Sequence, residues 1–219
     1  MITATVHAQV PLSLLEAVRA VDRPAEGIET EYVPELRNKR LGLSDTVYAQ
    51  IRRYGEAVRR GHTIPRDEAA ALARLLARRP DAEAVFRAAG RHLARASFGT
   101  LSPVTRGVLV AFPGLITRPI ALRRLRRLSG RYLGGTARRV GGFVFLSVSD
   151  AVVADNEDGD VGSVMYEAAL REYVALLVGG SGAVEMTRPG ARGGGYEWRA
   201  EWRASSPAER RAFRAAAAP

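Results

Sequence analysis

Along the first ten positions Ile2, Ala4, Val6, Ala8 and Val10 alternate with polar residues. That period of two predicts a strand, ended by Pro11. Residues 12–21 change period, because Leu14, Leu15, Val18 and Val21 share one side of a short amphipathic helix. From 22 to 43 the pattern dissolves among Pro24, Gly27, Pro34 and mixed charges, as a connecting segment does. Residues 1–43 thus read as an N-terminal strand–helix appendage with its linker.

A run of helices follows. Ser44 can cap a helix that carries Val47, Ile51, Tyr54 and Val58 at spacings of four, three and four and stops near Gly61. Pro65, Asp67 and Glu68 open the next, with acids where the helix dipole favours them, and it ends before Pro80. Asp81 is placed to cap a longer helix to about 98, with Val85, Phe86, Ala89, Leu93 and Ala96 as its apolar face. Pro103 and Pro119 start two more, through about 112 and 128. Beyond Gly130 the alternation returns: strands are predicted over 132–140 and 143–149, joined at Gly141-Gly142. Met165, Tyr166, Leu170, Tyr173, Val174 and Leu177 mark a helix, and strands over 183–188 and 196–202 close the pattern. The expected fold class is α+β, an N-terminal helical bundle packed on a C-terminal antiparallel sheet of strand–strand–helix–strand–strand order. Residues 44–203 form the main domain, and 204–219 an Ala/Arg-rich tail.

Composition narrows the chemistry. A chain of 219 residues is long enough for one sizeable core. With no cysteine, disulfides, thiolate nucleophiles and Cys-ligated metals are excluded. The histidines are His7, His62 and His92, so chemistry beyond residue 92 must use carboxylates, Arg, Tyr or Ser. Mean hydropathy is -0.10, no apolar run is long enough for a membrane span, and the N-terminus lacks a secretory pattern. A cytoplasmic protein is expected. The net charge of +10 raises the prior for an anionic partner. Its arginines, set beside a single lysine (Lys39) and abundant alanine, equally fit solvated helix faces in a GC-rich coding sequence.

Most local motifs reduce to structure. Gly179-Gly180-Ser181-Gly182 follows a helix and lacks the Gly-Lys-Ser/Thr of a phosphate loop. The acidic stretch 155–160 misplaces the glycine that a calcium loop requires. Arg123, Arg127 and Arg131 recur every four residues, so one face could meet phosphates or carboxylates. Tyr132 is the only aromatic near them, which leaves nucleic acid the weaker expectation. Tyr196, Trp198 and Trp202 share one strand face, suited to core packing or to a pocket wall.

Residues 44–203 resemble the superfamily that joins 4-vinyl-reductase-like domains, haem–nitric-oxide-binding domains and TRAPP trafficking subunits, in particular its uncharacterised myxobacterial-type bacterial members. The resemblance is carried by Phe86-Arg87-Ala88-Ala89-Gly90-Arg91-His92-Leu93, by the strand pair within 132–149, by the helix over 166–178, and by Val184-Glu185 with Tyr196-Glu197-Trp198-Arg199-Ala200-Glu201-Trp202. It implies a cavity for a small apolar or planar molecule between helices and sheet. Haem or another tetrapyrrole enters on the same ground, but without the usual proximal histidine, since residues 119–128 supply arginines instead. The expected function is non-catalytic binding of an apolar or tetrapyrrole-like ligand, regulatory or sensory. Phe86, His92, Leu93, Phe98, Phe112, Phe143, Phe145 and Trp198 are the expected lining of a cavity between the 81–98 helix, the 104–112 helix and the sheet, with Arg91 or Arg131 toward a carboxylate. The alternatives are an accessory role in tetrapyrrole or bacteriochlorophyll metabolism, an anionic partner on Arg123, Arg127 and Arg131, and homodimer or partner-protein docking through 103–116.

Overall fold

The structure is a computed structural model that describes residues 4–22, 45–111, 118–149, 151–154, 160–178, 183–188 and 195–202. The expected linker over 23–43, Phe112, most of the acidic stretch, the 179–182 turn and the C-terminal tail lie outside the described residues.

The chain opens with β1 (Thr5–His7) and α1 (Gln9–Val21), then α2 (Asp45–Arg59), β2 (Thr63–Pro65), α3 (Arg66–Ala77), α4 (Ala82–Gly99), α5 (Pro103–Ala111) and α6 (Arg118–Leu128). A π-helical turn, Ser129–Leu133, leads into β3 (Thr136–Val140) and β4 (Phe143–Val148). Then come α7 (Ser163–Val178), β5 (Val184–Arg188) and β6 (Tyr196–Glu201). The α+β class holds. Four strands form an antiparallel sheet in the order β3-β4-β6-β5, with α7 between the two strand pairs in sequence.

The N-terminal segment departs from expectation. The strand spans three residues and pairs with β2, while the helix begins at Gln9, ahead of Pro11. Proline has no amide to give, and in the first turn of a helix none is required, so Pro11 lies inside the start of α1 instead of ending a strand. A second correction concerns Tyr132 and Leu133, which belong to the π-turn and not to β3. That turn closes at Gly134, whose φ of 64° is left-handed and whose N–H bonds Ser129 O. Asp81 occupies the cap position of α4 but makes no capping bond. Its carboxylate is taken by Arg79 (2.8 and 2.9 Å), which also grips Asp22 at 2.6 Å and so ties the end of α1 to the α3–α4 junction. The guanidinium holds the Asp81 carboxyl below its ordinary pKa.

The core is built around α4 and α7. Phe86, Leu93, Leu146, Leu170, Tyr173 and Trp198 are fully enclosed, and Leu14 and Val18 of α1 join the same cluster. In packing, α1 is therefore part of the main body. Across the sheet Val144 pairs with Ala200 and Leu146 with Trp198, and these side chains face inward. Trp198 stacks on Tyr166 of α7 at 5.2 Å between ring centroids.

Two expected cavity residues are corrected by the strand period. Val144, Leu146 and Val148 take the buried face of β4, so Phe143 and Phe145 point the opposite way. Phe143 is 39% exposed and lies under Arg199, and Phe145 lies under Arg138, each guanidinium 4.7 Å from the ring centroid. Among the described residues no helix is long and apolar enough to cross a membrane.

Candidate functional site

Between α4 and the sheet, where a cavity was expected, buried side chains pack together. Phe86, Leu93, Leu146 and Trp198 are packed in one continuous core. The two central helices run so close that a Cβ on Gly90 would lie 2.2 Å from Met165 O.

A pocket of about 380 Å³ opens instead where β1, the π-turn, α4 and the start of α7 meet. That volume falls at the lower end of small-molecule sites. Its apolar wall comes from Val6, Val10, Leu93, Leu133, Val153 and Met165. Polar groups on the wall include His7, Arg66, Arg131, Tyr132 and Tyr166. The tertiary fold assembles it from distant pieces. Strand β1 pairs in register with β2, His7 opposite Thr63, which sets the N-terminal segment across the pocket. The π-turn brings Gly130 to Gly134 to the opposite side. Turns of this type are frequent at functional sites because the extra residue per turn redirects side chains.

His7 is the organising polar group. Only 7% of it is exposed, and its ring meets Tyr132 edge-on at 4.6 Å. The N–H of Gln9 donates to Nδ1 at 3.1 Å, and Nη2 of Arg131 lies 3.4 Å from Nε2. Burial first, and then the positive charge of Arg131, hold the imidazole below its ordinary pKa, so the ring is neutral near pH 7. Arg131 is itself exposed, and its guanidinium carbon sits 5.5 Å from the Tyr132 ring centroid.

Of the residues expected to bind ligand, Leu93 and Arg131 line this pocket. Phe86 and Trp198 are core, Phe98 packs partly buried against it, and Phe143 and Phe145 are on the outer sheet face. Arg91 and His92 are exposed on α4, where His92 Nδ1 sits 3.4 Å from Ser13 Oγ. Phe112 lies outside the described residues. The anionic stripe is divided: Arg123 and Arg127 are exposed on α6, whereas Arg131 turns to His7 across the π-turn. Sequence reading missed His7, Tyr132, Met165 and Tyr166 as site residues. His7 sits in an alternating strand pattern that carries no signal for a partner 124 positions away.

Haem iron is held by a His nitrogen, a Cys or Met sulfur or a Tyr oxygen. On this wall the imidazole is His7; its Nδ1 already accepts from Gln9, and its Nε2 faces a guanidinium cation. His7 is therefore not presented as an axial ligand to haem iron. Among the described residues no group of three or more His, Asp or Glu side chains is placed to hold a metal ion.

No protein-family model, no curated protein and no solved structure matches this chain.

Proposed function

We propose that this chain is a non-catalytic small-molecule-binding protein, and that its site is the pocket between β1, the π-turn, α4 and α7. The observation that carries this is a 380 Å³ space with an apolar wall and a few convergent polar groups, the combination by which ligand sites are recognised. Affinity would come from burying an apolar ligand body at roughly 25 cal/mol per Å2. The resemblance of residues 44–203 to the haem–nitric-oxide-binding-like superfamily supports ligand binding in general. The pocket differs from that expectation in drawing much of its wall from residues 4–10, outside the resembling region.

Titration with the neutral apolar dye Nile red tests the proposal. Saturable fluorescence enhancement at one dye per chain is expected in the parent protein. V6W, which fills the pocket from its β1 wall, should abolish the enhancement while the variant still unfolds cooperatively. Undiminished dye binding by a folded V6W would place the binding elsewhere and overturn the assignment.

A further inference from the structure

The contacts of His7 leave a chemical demand that the protein does not meet by itself. Because the Gln9 N–H donates to Nδ1, that nitrogen carries a lone pair, and the proton of the neutral ring resides on Nε2. The polar group facing Nε2 is Nη2 of Arg131 at 3.4 Å, which is also a donor and has no lone pair. Two N–H groups therefore face one pocket, and among the described residues no acceptor lies between them. The imidazole end of this pair is almost wholly enclosed, where a donor without an acceptor is costly.

We infer that His7 Nε2–H and the Arg131 guanidinium together form a binding site for an anionic oxygen group, a carboxylate or a phosphate, at the polar end of the apolar pocket. One oxygen of such a group accepts from both donors and resolves the conflict, and the guanidinium supplies the balancing charge. Stacking against Tyr132 holds both partners in place before a ligand arrives, His7 edge-on and Arg131 over the ring. Gly61, at φ 70°, brings only backbone up to Arg131: a Cβ there would stand 4.0 Å from Nη2. The inference rests on the pocket being a ligand site, and it adds the ligand class: an amphipathic anion with its apolar body toward Leu93 and Met165.

Three probes with one common alkyl chain separate the possibilities: decanoate, decyl phosphate and decanol, titrated calorimetrically into the parent protein, R131M and H7F. Both anions should bind the parent more tightly than decanol, by roughly ten- to a hundredfold for hydrogen bonds to charged groups. R131M should remove that difference. H7F keeps a ring against Tyr132 and should reduce the preference. Tighter binding of decanoate than of decyl phosphate would identify a carboxylate site, and the reverse order a phosphate site; either supports the inference. Equal affinity for all three probes, unmoved by R131M, would overturn the anion site and leave the pocket intact. Failure of all three to bind would overturn both. Nitrogen-15 NMR of the parent protein gives a check that needs no variant to fold. The Nε2–H tautomer of His7 is expected, and a proton on Nδ1 would remove the premise.

Discussion

Gly90 shows how little slack the centre of this molecule has. It sits inside α4, where glycine is a poor helix former and alanine would ordinarily be worth roughly 0.5–1 kcal/mol more. Here that gain is out of reach. An added methyl would lie 2.2 Å from Met165 O and 2.9 Å from the Ala168 Cβ, and the nearer obstacle is backbone of α7, which cannot rotate away. Overpacking of this kind costs about 1–3 kcal/mol, so G90A is expected to lose on the order of 1 kcal/mol net of the propensity gain. Urea unfolding monitored by tryptophan fluorescence reads this directly; a G90A midpoint at or above the parent's would show that the helices can separate at no cost. Phe86, fully buried one turn earlier on the same helix, presents the opposite hazard. Truncating it leaves a hole, and F86A is expected to destabilise by about 3–5 kcal/mol in the same assay; a loss below 1 kcal/mol would mean that the core collapses around the vacancy.

At the scale of elements, the outer face of the sheet is organised by Glu197 on β6. Its carboxylate accepts from Arg138 of β3 at 3.0 Å, Ser147 of β4 at 2.9 Å and Thr187 of β5 at 3.3 Å, so one side chain links all four strands. These contacts, the Arg138 bond foremost, hold its carboxyl below the ordinary value of 4.5. The group is therefore more acidic folded than unfolded. Its contribution is complete above 4.5, and it is lost as pH falls below that value toward the depressed one, since the unfolded chain takes up the proton first. E197Q should flatten the fall in unfolding free energy between about pH 6 and pH 3, measured by urea titration at each pH; parallel pH profiles would mean that the cluster is not felt. The same strands show what patterning can and cannot reveal. Alternation located β4 and β6 within a residue or two, because one face of each is buried and the period leaves no other register. It could not say which alternate set faces inward: Phe143 and Phe145 are bulkier than Val144 and Val148, yet the inward set is Val144, Leu146 and Val148, with Val144 opposite Ala200 and Leu146 opposite Trp198. The helices were legible where proline, glycine or a charge marks an end, as at Pro65, Pro103 and Gly61. Pro11 misled because a proline can close a strand or sit in the first turn of a helix, and only the burial of α1 against α4 decides between them. The pocket left no local mark at all, since its two principal donors, His7 and Arg131, meet only through the tertiary fold.

For the whole molecule the decisive feature is the role of the first 22 residues. Composition and the break in periodicity after residue 22 suggest an appendage, but Leu14, Ala17 and Val18 are buried in the same cluster as Phe86 and Leu93. Strand β1 completes a two-stranded sheet with β2, and Asp22 is clasped by Arg79. Leu14 is fully enclosed, and burying a leucine side chain is worth roughly 1.5–3 kcal/mol. The whole α1 face therefore contributes an amount comparable with the net stability of an ordinary domain, about 5–15 kcal/mol. The segment is therefore expected to be indispensable to folding. A chain comprising residues 45–219 is expected to expose the α1-facing side of α4, bind anilinonaphthalene sulfonate strongly and lose cooperative unfolding. Adding back a peptide of residues 1–22 should restore the sharp transition, because the groove it fills is contiguous with the core. A truncated chain that stayed monodisperse, bound no dye and unfolded cooperatively would show that α1 covers the core without supporting it. The pocket would then lose its β1 wall while the fold survived, and ligand binding could be separated from stability in a single experiment.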